Sequence, residues 1–177
     1  MLLENRMPAA NIGLLPGWRD VVAMGSSYKS AAVIGRPFLN LDLFYTVVFL
    51  EELQKIKSSG FAAALWAHAY LAMTHLNAEG DERIKQDYLT SSISGDKIGA
   101  LCITEPFGGS DVAGMKTTAV KQGNKYIING SKTFITNGVY ADYYVVAAKT
   151  SPELGNKGIS IFLMDTTLKG RSEERRV

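Results

Sequence analysis

Between residues 41 and 96 the apolar positions recur with the 3.6-residue period of an α-helix. The apolar face of a first predicted helix consists of Leu43, Val47, Leu50 and Leu53. Ser58-Ser59-Gly60 breaks this helix, and an Ala-rich second helix is predicted over Phe61–Leu76. Asp81 can cap a third helix, which Ser94-Gly95 closes. The apolar positions of this third helix are Ile84, Tyr88 and Leu89.

From Lys97 onward the pattern changes to short apolar runs bounded by turn residues, which indicates β-strands. The predicted strands are Ile98–Thr104, Thr117–Val120, Tyr126–Ile128, Thr133–Thr136, Tyr143–Ala148 and Ile159–Met164. Gln122-Gly123-Asn124 is typical of a hairpin turn, and Asn129-Gly130 predicts a second tight turn. Helices followed by strands predict an α+β fold, with too few strands to close an antiparallel β-barrel or sandwich.

Composition and charge narrow the classes of protein that this chain can represent. With 46% hydrophobic and 20% charged residues it is typical of a globular protein. Its formal net charge is only +2 and is dispersed, which argues against a nucleic-acid partner. The single cysteine, Cys102, lies in an apolar strand and is interpreted as a buried hydrophobe. The apolar segment Phe61–Leu76 is too short for a membrane span, which takes roughly 20 residues.

A glycine-rich turn follows the first predicted strand, within the segment Leu101–Asp111. Pro106 restricts one φ angle, while Gly108 and Gly109 can adopt positive φ without penalty. Such a turn can aim backbone N–H groups at an anion, and the Ser110 hydroxyl adds a further donor. Taken alone, the segment is more often only a turn, so a phosphate ligand stays one of two interpretations.

A second cluster follows over Asn129–Gly138. Alternation along the predicted strand places Phe134 and Thr136 on one face, with Ile135 on the other. An aromatic ring beside a hydroxyl suits stacking and hydrogen bonding to a planar heterocycle such as a flavin. Taken alone, a core phenylalanine with an edge threonine is the simpler interpretation.

Together the two clusters resemble the acyl-CoA dehydrogenase family. The pattern is Thr-Glu-Pro-x-x-Gly-Ser-Asp at Thr104–Asp111, followed by Asn-Gly-x-Lys-x-Phe-Ile-Thr-Asn-Gly at Asn129–Gly138. Further similarity lies in Glu51-Glu52-Leu53, His68, the hairpin at Gly123-Asn124 and Lys157–Leu163. The resemblance implies part of an N-terminal helical domain over residues 39–96 and an incomplete middle β domain, of the barrel or sandwich type, over 97–170. Residues 1–38 stay unassigned, and an atypical or mis-assembled segment is one interpretation of them.

The resemblance also implies that the chain lines an FAD. The residues it assigns to the cofactor are Leu101, Cys102, Ile103, Thr104, Gly109, Ser110, Phe134, Ile135 and Thr136. Thr104 would lie near the ring edge, Gly109 and Ser110 near the pyrophosphate, and Thr136 toward the reactive N5 region. Ser110, Asn156 and Lys157 are assigned to the acyl-CoA substrate. Many members carry Trp where this chain has Phe134, which hints at a subgroup.

The reaction implied is α,β-dehydrogenation of an acyl-CoA thioester, as in fatty acid β-oxidation, with a glutamate removing the α-proton. In the family that glutamate belongs to a C-terminal helical domain that this sequence does not include, so no catalytic residue is assigned. Glu105 is interpreted as structural, because a lone carboxylate is not an acid–base site. His68 and His75 lie on one helical face without a third ligand and are interpreted as packing residues, and no metal is predicted.

Several expectations concern the whole protein. Electron-transfer flavoprotein is the implied electron acceptor, and a homotetramer or homodimer is implied for the full-length form. The implied location is the bacterial cytoplasm, or the mitochondrial matrix in a eukaryote. Residues 171–177 can be translated from a sequencing-adaptor oligonucleotide and are interpreted as an artefactual tail, so we expect the chain alone to be inactive. Two alternatives stay open: a related flavin monooxygenase or oxidase, and a non-catalytic flavin- or CoA-binding piece.

Overall fold

The computed structural model describes residues 2–3, 14–15, 43–55 and 58–170, with side chains from Val47 onward. Two short strands come first, β1 (Leu2–Leu3) and β2 (Leu14–Leu15). The rest of the unassigned N-terminal region and the predicted tail at 171–177 lie outside the described residues. The domain boundaries near residues 38, 96 and 170 therefore stay predictions.

The helices form where the 3.6-residue pattern predicts them. They are α1 (Leu43–Gln54), α2 (Ser59–Trp66), α3 (Met73–Glu79), α4 (Glu82–Ile84) and α5 (Thr90–Ile93). Residues 67–72 continue α2 into α3 as a π-helical stretch, and residues 85–89 likewise continue α4 into α5. The Asp81 carboxylate caps α4 by accepting a 2.8 Å hydrogen bond from the Ile84 amide. All three predicted helices are confirmed, and Gly95 with φ 85° follows the third.

The strands form one mixed sheet. Its further members are β3 (Gly99–Cys102), β4 (Thr118–Gln122), β5 (Lys125–Ser131), β6 (Tyr143–Lys149) and β7 (Ile159–Asp165). Their order is β1-β5-β4-β6-β7-β2, and β3 also pairs with β6. The predicted hairpin joins β4 to β5. The α+β class is confirmed, although the sheet is not wholly antiparallel, because β3 and β4 both run parallel to β6.

Two local predictions in the second cluster are wrong. Asn129 and Gly130 form no turn, because both continue β5: Asn129 pairs with Thr118, and Gly130 pairs with Leu3 of β1. Residues 133–136 form no strand, because Phe134 has a left-handed φ of 55° that a strand cannot include. This segment is a loop that runs on to Asn137, whose φ is 65°.

Alternate residues of β6 enter two separate cores, as the two-residue period of a strand requires. Tyr143, Val145 and Ala147 face the helices. Their neighbours Tyr144, Val146 and Ala148 face the opposite side, where the curled sheet covers its own apolar residues. The helical layer and the sheet thus pack into one body, and each cluster of interest runs from a strand, β3 or β5, into a loop.

His68 connects its helix to another helix and to the sheet, whereas His75 bonds within its own helical segment. His68 Nδ1 accepts a 3.0 Å hydrogen bond from the Gly99 amide of β3, and its Nε2 lies 3.3 Å from the Ser92 carbonyl. His75 Nδ1 donates to the Leu71 carbonyl over 2.7 Å, and burial lowers the pKa of this histidine. Gly99 is required at its position, because a Cβ there would lie 2.4 Å from the Tyr143 ring.

Neither a membrane-spanning helix nor a metal-binding cluster occurs among the described residues. No helix in residues 43–55 and 58–170 combines the length and the apolar character needed to cross a bilayer. Within the same part of the chain, no three His, Cys, Asp or Glu side chains come together in a group that could hold a metal ion.

Candidate functional site: a flavin-binding surface

The glycine-rich turn is closed by its own backbone. The Glu105 amide donates to the Gly108 carbonyl over 3.0 Å, and the Gly108 amide donates back to the Glu105 carbonyl over 3.1 Å. The Gly108 N–H is therefore engaged within the turn, and neither Gly108 nor Gly109 has a positive φ. Gly109 instead allows close approach, since a Cβ there would lie 3.2 Å from Thr104 Cγ2. Phe107 at the tip is 83% exposed.

After the turn, Ser110 is exposed, and Asp111 shapes the next residues. The Asp111 carboxylate accepts a 3.0 Å hydrogen bond from the Gly114 amide and so caps a 3-10 turn over Val112–Gly114. This 3-10 turn lies beside a second 3-10 segment, Pro152–Gly158, which presents Asn156 and Lys157 to solvent. The three residues assigned to the acyl-CoA substrate therefore lie on neighbouring exposed loops.

The second cluster exposes the side chains expected to meet a flavin ring. Phe134 is 78% exposed and Thr136 is exposed, whereas Ile135 packs against the core on the far side of the sheet. Phe134 and Thr136 thus lie on the opposite side from Ile135, as predicted, although residues 133–136 do not form the predicted strand. A left-handed residue, Phe134, supplies this arrangement instead, at a conformational cost of about 1–3 kcal/mol.

Three hydrogen bonds join the two clusters. Lys132 Nζ donates to the Ile103 carbonyl over 2.9 Å and to Glu105 Oε1 over 2.8 Å. Between these contacts, the Thr133 amide donates to the Thr104 carbonyl over 2.9 Å. Each of the three residues 103–105 is therefore bonded to the pair 132–133. This contact brings the predicted phosphate side and the predicted ring side of the pocket together.

Both carboxylate oxygens of Glu105 accept hydrogen bonds at this contact. Besides Lys132, its carboxylate accepts a 2.6 Å bond from the Lys116 amide and a 3.0 Å bond from the Thr117 amide. Burial opposes ionisation, but these donors outweigh it and hold the pKa of Glu105 below its ordinary value. Burial lowers the pKa of Lys132, and the charge and hydrogen bond of Glu105 raise it part of the way back. A carboxylate that is buried, ionised and fully bonded is structural, as predicted.

The residues just before the turn are more enclosed than the resemblance implies. Cys102 is fully buried in the core on the far side of the sheet, so only its backbone could approach a cofactor. Burial raises the pKa of its thiol to about 12, which agrees with the prediction of an unreactive cysteine. Leu101 and Ile103 are half-buried against the helix-facing core, and Thr104 is half-buried at the start of the turn.

Two residues at this site were given no role in the sequence analysis. Lys132 lies in the second cluster between two turn signals, where a lysine is usually solvated, and no periodicity marks it as buried. Asn137 donates through Nδ2 to the Ala64 carbonyl of α2 over 2.9 Å, a contact across 73 positions. The sequence signal at this position is the turn dipeptide Asn137-Gly138, and asparagine tolerates the left-handed φ that it adopts here.

Comparison with known proteins supports the same family on both halves of the chain. The family model described as "Acyl-CoA dehydrogenase, N-terminal domain" matches residues 35–96, and that described as "Acyl-CoA dehydrogenase, middle domain" matches residues 100–176. A short-chain specific acyl-CoA dehydrogenase of Clostridium acetobutylicum is 42% identical over 131 residues. That match covers 74% of this chain and 34% of the relative, so the chain spans about a third of the curated relative's length.

Solved structures agree in fold. An acyl-CoA dehydrogenase from Geobacillus kaustophilus matches with a TM-score of 0.73 and 35% identity, over 93% of this chain and 47% of that one. The FAD complex of PigA matches with a TM-score of 0.69 and 31% identity, over 84% of this chain and 39% of that one. Since two family models together match most of the chain and the fold agrees, this protein belongs to the acyl-CoA dehydrogenase family.

Proposed function

We propose that this chain forms the flavin side of the active site of an FAD-dependent acyl-CoA dehydrogenase. The observation that supports it most is an exposed aromatic ring and hydroxyl, Phe134 and Thr136, held by backbone and buried ionic contacts against the turn at Thr104–Ser110. An exposed aromatic face with an exposed hydroxyl two residues away suits stacking on, and hydrogen bonding to, a planar heterocycle.

The donor set fits FAD. Phe134 offers a face for stacking on the isoalloxazine, and the Thr136 hydroxyl offers a hydrogen bond toward the N5 region. On the other side, exposed Ser110 offers a hydroxyl to a phosphate, and Gly109 leaves room for the Thr104 side chain at the ring edge. The Gly108 amide is not offered to the phosphate, because it is bonded within the turn.

When bound, FAD supplies the hydride acceptor for α,β-dehydrogenation of an acyl-CoA thioester. The residues of this chain bind and orient: Ser110, Asn156 and Lys157 are proposed to contact the CoA portion, where a lysine suits its phosphates. Glu105 does not act as the base, since both of its oxygens are already bonded. Electron-transfer flavoprotein as acceptor, the dimer or tetramer and the cellular location stay predictions.

A flavin-retention experiment tests this proposal. The chain is refolded or purified with FAD, passed through gel filtration, and examined for flavin absorbance in the protein fraction. We expect retained flavin in the wild type and reduced retention in Phe134→Leu. Phe61→Leu is the matched control, because Phe61 is an exposed phenylalanine at the start of α2, outside this surface. Equal retention by the two variants, or none by the wild type, would contradict the proposal.

The reaction is tested separately with acyl-CoA thioesters of several chain lengths. We expect the 177-residue chain with FAD to show no reduction of an electron-acceptor dye, because Glu105, the carboxylate beside the flavin surface, has both oxygens bonded. Dye reduction by this chain alone would overturn that expectation. Release of hydrogen peroxide by the full-length protein would instead favour the oxidase alternative, and flavin retention without turnover by the full-length protein would favour a binding piece.

A further inference from the structure

We propose that Lys132 is a positioning residue for the flavin site: its buried ammonium fastens the ring-side loop to the phosphate-side turn. This inference rests on the proposed function, since it concerns the same surface. Lys132 is buried and is not among the residues predicted to contact the cofactor, so this role is separate from direct flavin binding.

The geometry around Thr104 supports this role. Lys132 Nζ contacts the residues on both sides of Thr104, bonding the Ile103 carbonyl and the Glu105 carboxylate. The next residue, Thr133, bonds Thr104 itself through its amide. A single lysine and its neighbour thus set the backbone of residues 103–105 relative to the loop that begins at residue 133.

The ion pair also joins a third segment. Glu105 accepts hydrogen bonds from the amides of Lys116 and Thr117, which lead directly into β4. Lys132 follows directly after β5, the hairpin partner of β4. The β4–β5 hairpin therefore holds both charges, and its position determines where the turn and the loop meet.

The ring-side loop is anchored at both ends. Lys132 and Thr133 hold its beginning, and Asn137 holds its end by bonding the Ala64 carbonyl of α2. Between these anchors Phe134 keeps a left-handed φ, which persists only where the surroundings enforce it. Removing the first anchor should release Phe134 and Thr136 relative to Thr104, and so weaken flavin binding more than loss of stability alone would.

The experiment compares two variants that are both expected to be substantially destabilised. Lys132→Met keeps the length of the side chain and removes its charge and donors. Leu76→Ala is the matched control, because Leu76 is fully buried in the helix-facing core and outside the flavin surface. FAD affinity is measured by flavin fluorescence, the ring environment by visible circular dichroism of bound FAD, and loop order by hydrogen exchange. All are measured under conditions in which both variants are folded.

We expect Lys132→Met to weaken FAD binding by about tenfold or more and to change the flavin dichroism, with Leu76→Ala within about threefold of the wild type. Exchange at residues 103–111 and 133–138 should rise in Lys132→Met beyond its rise in Leu76→Ala. Lys132→Arg, which keeps the buried charge, is the second variant, used where Lys132→Met does not fold. Lys132→Arg should bind FAD more tightly than Lys132→Met but more weakly than Leu76→Ala. Where Lys132→Met does not fold, the comparison with Leu76→Ala is the test.

Two outcomes separate this inference from the proposed function. Wild-type protein that binds FAD, together with a Lys132 variant indistinguishable from Leu76→Ala in affinity, dichroism and exchange, overturns the positioning role alone. Wild-type protein that binds no FAD refutes the proposed function. In that case hydrogen exchange still tests the positioning role of Lys132. A rise in exchange at residues 133–138 that is larger in the Lys132 variant than in Leu76→Ala supports this role, and an equal rise in both variants overturns it.

Discussion

Replacing Glu105 by glutamine tests whether the buried ion pair at the site stabilises the fold. The substitution keeps the size of the side chain and removes its charge. It also turns one acceptor oxygen into an NH₂ group facing the amides of Lys116 and Thr117 or the ammonium of Lys132. The remaining oxygen cannot satisfy all three donors. Lys132, whose side chain is completely buried, then keeps a charge without a counter-charge.

The expected loss in the free energy of unfolding follows from the burial of this ion pair. Removing one partner of a buried ion pair typically costs about 3–5 kcal/mol, because the other charge is left uncompensated. The side chains of Glu105 and Lys132 are 4% and 0% exposed, so solvent screening does not reduce this figure. The double variant Glu105→Gln/Lys132→Met removes both charges. It should therefore lose about 1–3 kcal/mol less than the sum of the two single losses.

The assay is urea unfolding at neutral pH, followed by a series at lower pH. Because the folded pKa of Glu105 lies below its ordinary value of 4.5, its contribution is fully present above about pH 4.5. The contribution disappears as the pH falls through the lower, folded pKa. The stability difference between wild type and Glu105→Gln should therefore shrink only below about pH 4.5. Glu51→Gln on exposed α1 is the control and should change stability by less than about 0.5 kcal/mol.

Three results would refute this reasoning. A Glu105→Gln protein within about 1 kcal/mol of wild type would mean that the pair contributes no more than a surface contact. Strict additivity in the double variant would mean that the two side chains do not stabilise each other. A stability difference that stays constant down to the pH of acid unfolding would show that Glu105 has an ordinary pKa in the folded protein.

The remaining predictions concern the loop anchor, the cysteine and the helix–sheet contact. Asn137→Ala should lower the free energy of unfolding by about 1–3 kcal/mol in urea, because it loses the hydrogen bond to Ala64 and leaves an alanine with a left-handed φ. Asn137→Gly should lower it less, because glycine accepts that φ. The reverse order would contradict the proposed anchoring role of Asn137. Cys102 should react with a thiol reagent only on unfolding, since burial raises its pKa to about 12; stoichiometric labelling of folded protein would disprove this. Tyr143→Phe removes a 2.9 Å hydrogen bond to Ser92 and should cost about 1 kcal/mol, while an unchanged stability would show the bond to be energetically neutral.

Local pattern was sufficient for most of the secondary structure. The three helices, the cap at Asp81, the hairpin at Gly123-Asn124 and the strand β6 were all predicted from spacing and turn chemistry. Residues 133–136 were mispredicted as a strand, because a short run of β-branched and aromatic residues between turn signals is typical of a strand. The real conformation of the loop at residues 133–137 depends on Thr104 and Ala64, which are distant in sequence and whose contacts no local window contains.

The α+β class, the family and the residues proposed for the flavin side were all predicted from the sequence. These features depend on residue types at short spacing, which can be read directly from the sequence. Only the tertiary structure decided how the two clusters meet. The mixed sheet brings residues 103–105 against residues 132–133 and buries the Lys132 ammonium on Glu105. The physical reason is that a buried charge needs its partner and its remaining donors and acceptors at fixed positions, and these come from segments that only folding brings together.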